Sequence, residues 1–504
     1  MKLFQRFRAR GGIHPEGRKE LSAEFTIRAL PLPERLYVSL QQHVGAPAQA
    51  TVRVGERVLK GQLLASGQGT ISAPVHAPTS GVIVAIGDHP APHPSGLTAP
   101  TLTLEADGDE RWLEADPPAD PFALSPEQVA ARVGAAGVVG LGGAAFPSAV
   151  KLDISRKSGV KTLIINGGEC EPYLSCDDRL MRERAAEIVE GIRLIRHAVG
   201  AAEALVGIED NKPEAIAAMR AAAGDGEVRV IAVPAMYPMG WDKQMTRVLI
   251  GREVPAGGRS ADIGVLVHNV ATAYAVQQAL RHGRPLLSRV VTVSGGAVRA
   301  PANLEVPLGA PAQALLDACG GLVAPPARLV LGGPMMGHEF RAPHVPVVKG
   351  TSGLLALTHA EIGRPEPAPC IRCSSCVRAC PVGLLPLDMA ANIRAGVLDA
   401  AVNLGLKDCI ACGSCSYVCP AHIPLVHYFN YARGELAARE RGKLKQEATK
   451  KLAAARGERL ERIAREREEA ARLRAEKKAA ADAAKKAAAA AEAAAKTQQE
   501  ALPA

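Results

Sequence analysis

Eight of the chain's eleven cysteines fall between positions 370 and 419. "CIRCSSCVRACP" sets Cys370, Cys373, Cys376 and Cys380 in a C-x2-C-x2-C-x3-C-P run, and "CIACGSCSYVCP" repeats it with Cys409, Cys412, Cys415 and Cys419. Gaps of two residues let three thiolates converge on three irons of one cubane, while the fourth cysteine lies too far round the turn and reaches the other cluster. The spacing predicts two [4Fe-4S] clusters that exchange a ligand. Cluster 1 takes Cys370, Cys373, Cys376 and Cys419; cluster 2 takes Cys409, Cys412, Cys415 and Cys380. Two structural Zn(Cys)4 sites are the alternative, but zinc favours paired C-x2-C knuckles over tandem four-cysteine runs. Each proline after the last cysteine ends the local turn, because it cannot donate to a helix. In a reducing compartment such crowding argues for metal rather than disulfides. Cys170, Cys176 and Cys319 stand apart and read as small buried apolar residues.

The second candidate site is "GVVGLGGAAFPSAVK", residues 137–151. Gly140, Gly142 and Ala145 satisfy G-x-G-x-x-G/A, yet a dinucleotide turn needs a strand before it and a helix opening at its end. "PEQVAARVGAAG" before it has a helical pattern, and Pro147 disfavours a helical Phe146. A helix with Pro147 at N1 places the loop just ahead of exposed N–H groups that suit an anion. Locally this is either a phosphate cradle or a plain glycine-rich turn.

Several domains fit within 504 residues. The formal charge is +9, but from Arg433 onward 19 Lys/Arg face 12 Asp/Glu, so most of the excess lies in the tail and no basic nucleic-acid-binding core is indicated. No run of about 18 apolar residues suggests a membrane span. "MKLFQRFRARGG" lacks the apolar segment of a secretory signal, so the chain is expected to stay in the cytosol.

Residues 36–87 read as short strands in two similar halves. These resemble the barrel-sandwich hybrid of lipoyl and biotinyl domains without the modified lysine, so a scaffold role is expected. From 125 to about 280 helices and strands alternate, as in an α/β layer. "SPEQVAARVGAAG" carries a Ser N-cap with Pro at N1. Residues 289–332 form a strand-rich module with one helix. The Ala/Lys/Arg/Glu end reads as a solvated fraying helix or a disordered tail. The expected division is 1–90 (N-terminal segment and barrel), 91–124 (linker), 125–285 (α/β), 286–360 (β-grasp), 361–432 (two-cluster ferredoxin type) and 433–504 (tail).

"GLGGAAFPSAVKL" followed by "INGGECEPYLSCDDRLM" resembles the flavin-binding segments of the NADH-oxidising subunit of respiratory complex I. "HNVATAY" is similar to that family's Asn-Val-Glu-Thr segment, with Ala271 where Glu is usual, and "YPMGWDKQMT" is a looser match. Together with "GGIHP", "GGPMMG" and the cysteine runs, the order of motifs over residues 1–430 resembles the RnfC (RsxC) family of the Rnf (Rsx) electron-transport complex. The resemblance implies non-covalent FMN, with NAD(H) as substrate. Gly140, Gly142, Gly143 and Lys151 would hold the phosphate and ribityl chain. Asn166, Asn269 and Thr272 would line the flavin site, and Glu169 and Glu171 would meet ribose or nicotinamide. It implies an α/β multidomain fold with a SLBB-like β-grasp module. The chain would be a peripheral subunit on the cytoplasmic side of the bacterial inner membrane, partnered by integral-membrane subunits and a ferredoxin-type carrier. Nicotinamide moves two electrons and a cubane accepts one, so a flavin between them is the required converter. No nucleophile or acid–base triad is expected, and His268 reads as structural. The alternative is a non-enzymatic two-cluster relay and assembly scaffold without flavin.

Overall fold

The computed structural model describes residues 8–363 and 366–499. It divides into two units, one running to Asn430 and one from Tyr431. Among the described residues no helix is long and apolar enough to cross a membrane.

The first unit opens on an antiparallel barrel. One sheet runs in the order Arg35–Ser39, Thr98–Ala106, Gly81–Pro90, Arg57–Val58, and a smaller one joins Gln49–Ala50, Leu63–Ser66 and Val75–His76. Period-two alternation explains the pairing: Leu36, Val38, Leu102 and Leu104 all point inward and are fully buried. The linker expected at 91–124 is thereby corrected. Thr98–Ala106 is a central strand of this sheet. The Pro-rich "HPAPHPSG" before it is the top of a long hairpin, not an exit from the domain.

A six-stranded mixed sheet contains Ser288–Ser294, Ala302–Pro307, Arg328–Leu331 and Gly353–Leu357, with Ala312–Ala318 as its helix. Its apolar face (Val291, Val293, Leu304, Leu354) shares one continuous core with the barrel residues Leu36, Leu64 and Ile83. Burial of each such side chain contributes about 1.5–3 kcal/mol, so neither module is an independent bead.

Between them in sequence lies a parallel sheet in the order Val228–Val233, Glu203–Glu209, Thr162–Gly167, Val265–Asn269. Runs such as "TLIING" and "EALVGIE" are nearly continuously buried, as parallel strands covered on both faces must be. Ser125 caps the helix Pro126–Ala135 in a capping box with Gln128. The chain leaves Thr162–Gly167 toward one side for two strands and returns to its other side for the fourth. The topology therefore reverses between Thr162–Gly167 and Val265–Asn269, and ligands settle outside the carboxyl ends of strands at such a point. Short helices Ser375–Ala379, Pro386–Arg394, Leu398–Asn403 and Ser414–Tyr417 carry the cysteine region. The second unit is helical: Leu425–Gln499 is one helix, exposed over nearly all of its tail and studded with i,i+4 pairs such as Arg472–Glu476.

His76, 8 % exposed, offers a test of the barrel's packing. Burial, reinforced by the charge of Lys349, holds its pKa down to about 3. The unfolded chain, with an ordinary value of about 6.5, binds the proton first as pH falls, so stability is complete above 6.5 and lost between 6.5 and 3. We expect about 2 kcal/mol less stability at pH 5 than at pH 7 from this residue, with His76→Gln flattening the slope in urea unfolding. An unchanged slope in that variant would contradict the assignment.

Candidate flavin and iron–sulfur sites

The glycine loop is closed at its base by a bridge between Val139 and Pro147 and by the Gly140 N–H donating to the Phe146 carbonyl (2.8 Å). The following helix is Ser148–Lys157, with Pro147 as its N-cap rather than the N1 residue that the sequence suggests. Gly142, Gly143 and Ala144 form an exposed tip. The loop stands over the topological switch. A Cβ on Gly142 would lie 3.2 Å from the Asn269 Cβ, and the Leu141 N–H donates to Thr272 Oγ1 (2.9 Å). Asn166 and Asn269 are register partners at the ends of their two strands. Asn269 Oδ1 caps the helix Val270–His282 through the Ala271 N–H (2.8 Å), and its Nδ2 donates to Asp177 Oδ2 (2.6 Å). Lys151 donates its ammonium to the Val267 carbonyl, and burial lowers its pKa. His268 is buried within its strand, as expected of a structural residue.

The two glutamates part company. Glu169 turns to the start of helix Cys176–Glu183. Its Oε1 accepts from the Asp177 N–H (2.8 Å) and the Cys176 thiol (3.3 Å), next to the Asp177 that holds Asn269. Burial, partly offset by Lys19, raises its pKa to about 6. Glu171 instead accepts from the Met335 and Met336 N–H groups (2.9 and 3.0 Å) in the "GGPMMG" turn, and burial raises its pKa to about 7. Its carboxylate is spent on that turn, away from the loop. Lys19 of the N-terminal segment pins the whole "ECEPYL" bend by donating to the carbonyls of Glu169, Glu171 and Leu174. Glu171→Ala would leave two N–H groups without their acceptor, so we expect a loss of about 2 kcal/mol in denaturant unfolding, with Glu171→Gln falling between it and wild type. Equal stability of all three would show the turn to be held otherwise.

The cysteine runs fold as near copies. Arg372 and Ala411, before the second cysteine of each run, both have φ 55°, and Ser374 and Gly413, after it, have φ 60° and 80°. These left-handed residues curl the backbone so that its amides face the sulfurs. The Arg372 N–H points to Cys370 Sγ and the Ala411 N–H to Cys409 Sγ, both at 3.4 Å, while the Leu384 N–H reaches Cys380 Sγ at 3.3 Å. Cys380, Cys409, Cys412 and Cys415 line one cavity of about 370 Å³, walled by Pro381, Leu384, Met389, Val426 and Phe429. Four soft thiol donors in an apolar pocket, with N–H groups on sulfur, suit an iron–sulfur cubane. In the other set Cys376 is buried with Cys419 acting on its thiol, whereas Cys370 and Cys373 are exposed.

One turn joins the two sites. Gly240, in "YPMGWDKQM", accepts from Asn166 Nδ2 (2.7 Å) and donates its N–H to Cys170 Sγ (3.2 Å), and Tyr237 Oη donates to the Cys412 carbonyl (2.6 Å). Ile13 of "GGIHP" pairs with Tyr237, the Gly12 N–H donates to the Ala379 carbonyl (2.9 Å), and Met335 packs on the same apolar group. Motifs hundreds of residues apart thus meet between the switch crevice and the Cys380 cavity. The motifs are visible in the sequence, but the roles of Lys19, Asp177 and Tyr237 within them are not. Cys176 and Cys319 are buried as expected, while Cys170 is only half-buried at this junction.

A barrel, a flavin-type α/β sheet and a double cysteine site define a multidomain redox protein. Comparison agrees module by module. Residues 7–109 match the RnfC barrel sandwich hybrid domain, 133–278 the Nuo51 FMN-binding domain, 290–339 the SLBB domain and 369–423 the 4Fe-4S dicluster domain. The RnfC protein of the ion-translocating oxidoreductase complex of Rhodobacter capsulatus is 50% identical over 441 residues, covering 87% of this chain and 85% of that one. Its counterpart in Pseudomonas aeruginosa is 45% identical over 453 residues, 90% of this chain and 58% of that one. An NAD+-reducing [NiFe]-hydrogenase chain is a more distant likeness (18% identity, TM-score 0.44, 63% of this chain and 62% of that one). The chain belongs to the RnfC family of ion-translocating oxidoreductase complexes. It is an electron-transfer oxidoreductase subunit with FMN and [4Fe-4S] clusters.

Proposed function

We propose that this protein exchanges electrons between NAD(H) and a ferredoxin-type carrier, and that other members of the complex couple the exchange to ion transport. FMN supplies the conversion between two-electron hydride chemistry and one-electron steps. The exposed tip of Gly142 and Gly143 receives its phosphate. Thr272 fixes the loop, Gly140 closes it, Lys151 adds positive charge, and Asn166 and Asn269 orient the ring at the switch. Glu169 braces Asp177 and Asn269 from behind. Cys409, Cys412, Cys415 and Cys380 hold the cluster nearer the flavin, and Cys370, Cys373, Cys376 and Cys419 hold the outer one, whose exposed thiols suit exchange with a partner. The observation that carries this order is the turn 236–240, which touches Asn166 at one end and Cys412 at the other.

The reading places the protein on the cytoplasmic face of the inner membrane, docked on integral-membrane partners. The basic tail adds a weak, salt-screened attraction to anionic lipid. Deleting 440–504 is expected to leave flavin content, cluster content and NADH–dye reduction unchanged; lost cofactors in that truncation would refute a peripheral role for the tail. The reading as a whole is tested by anaerobic NADH titration of the purified chain: flavin bleaches first and cluster absorbance follows. Cluster absorbance without releasable flavin would favour the non-enzymatic relay.

A further inference from the structure

Two buried cations lie behind the glycine loop with no role yet in flavin or cluster binding. Arg289, on strand Ser288–Ser294, is 5 % exposed, and Lys349, ahead of strand Gly353–Leu357, is fully buried. Neither forms a salt bridge with a carboxylate among the described residues. Burying such charges without a counter-ion is costly, so their placement calls for a compensating partner. Both donate to the backbone of the glycine loop. Arg289 Nη2 reaches the Leu141 carbonyl (3.3 Å) and Nη1 the Lys349 carbonyl; Lys349 Nζ donates to the carbonyls of Gly137 (2.7 Å) and Pro74 (2.8 Å). Arg289 Nε is buried and has no partner.

In a trans peptide the C=O and the next N–H point in opposite directions. Drawing the Leu141 carbonyl inward therefore turns the Gly142 N–H outward, toward the exposed tip. Burial lowers the pKa of Lys349 to about 7, so its charge is partial at neutral pH, whereas a guanidinium stays charged.

We propose that Arg289, supplied by the β-grasp module, is a positioning residue for the flavin phosphate: it sets the glycine loop with its N–H groups outward and places an uncompensated positive charge behind it. This rests on the FMN reading of the loop. It gives the β-grasp module a role in cofactor choice, because a charge behind the loop favours a flavin bearing a phosphate dianion over one without it.

The test titrates FMN and riboflavin separately into the full chain, stripped of flavin under anaerobic conditions with its clusters retained, and follows flavin fluorescence. Arg289→Gln keeps a donor for the Leu141 carbonyl but no charge. Its FMN affinity is expected to fall about tenfold or more, with riboflavin affinity changed less than about threefold. Arg289→Lys restores the charge and most of the preference for FMN. Iron content and thermal unfolding report the fold of each variant. A wild-type FMN:riboflavin ratio in Arg289→Gln, or an Arg289→Lys no better than Arg289→Gln, overturns the proposal. Should Arg289→Gln not fold, a loss of FMN preference in Arg289→Lys overturns it and a retained preference supports it. Wild-type protein that binds neither flavin marks failure of the FMN reading instead.

Discussion

Cys419→Ser is expected to destroy the cluster built on the first cysteine run, 39 or more residues away in sequence, and to leave the cluster built on its own run intact. Cys380→Ser does the reverse. The reason is geometric: three thiolates two residues apart fill three corners of a cubane, and the fourth corner is reached only from the other run. The fold supports this exchange, because Cys380 shares a cavity with Cys409, Cys412 and Cys415 and not with the cysteines beside it in sequence. Cys419, likewise, acts on the Cys376 thiol. Each variant should retain about half of the iron and labile sulfide, and reduced samples should each show one of the two wild-type paramagnetic signals. The two variants should differ in function. Cys419→Ser keeps the cluster beside Tyr237, so NADH still reduces it; Cys380→Ser cuts the route at its first step. If each variant lost the cluster of its own run, the exchanged ligand sets would be wrong.

The second large effect is expected in the glycine loop. Gly143 has φ 116°, a region that residues with a Cβ rarely adopt, and a β-branched side chain there costs about 1–3 kcal/mol or forces the loop to rearrange. Gly142→Val is harsher, since its Cβ would press within 3.2 Å of Asn269, which caps one helix and bonds Asp177. We expect FMN affinity to fall about a hundredfold in Gly142→Val and about tenfold in Gly143→Val, with iron content unchanged. Equilibrium dialysis against free FMN measures both. Full flavin retention in Gly142→Val would remove the loop from the site.

The cysteine sites are legible in the sequence because their information is local: four residues at fixed gaps state both the metal and the geometry. The glycine loop is legible as a pattern but not as a site, since the strand Val265–Asn269 that completes it lies more than a hundred residues downstream. Glu171 shows the limit most plainly. Its motif points to the nicotinamide, but its carboxylate faces Met335 and Met336, 164 and 165 residues away. No periodicity reports such a contact. The strand Thr98–Ala106 is obscured for the opposite reason: its Thr-Leu alternation is local and clear, but the prolines before it imitate a linker. The tail's composition fits helix and disorder alike, and its continuous helix follows from Ala-rich propensity and i,i+4 ion pairs without an apolar face.

The central claim is that one backbone loop holds a flavin within reach of thiolate-held iron cubes. The most direct measurement is the flavin, iron and sulfide content of the chain purified without oxygen, followed by stoichiometric NADH. The expected result is one FMN per chain and two [4Fe-4S] clusters, with the flavin band bleaching before the cluster absorbance falls. A colourless protein, or zinc in place of iron, would contradict it.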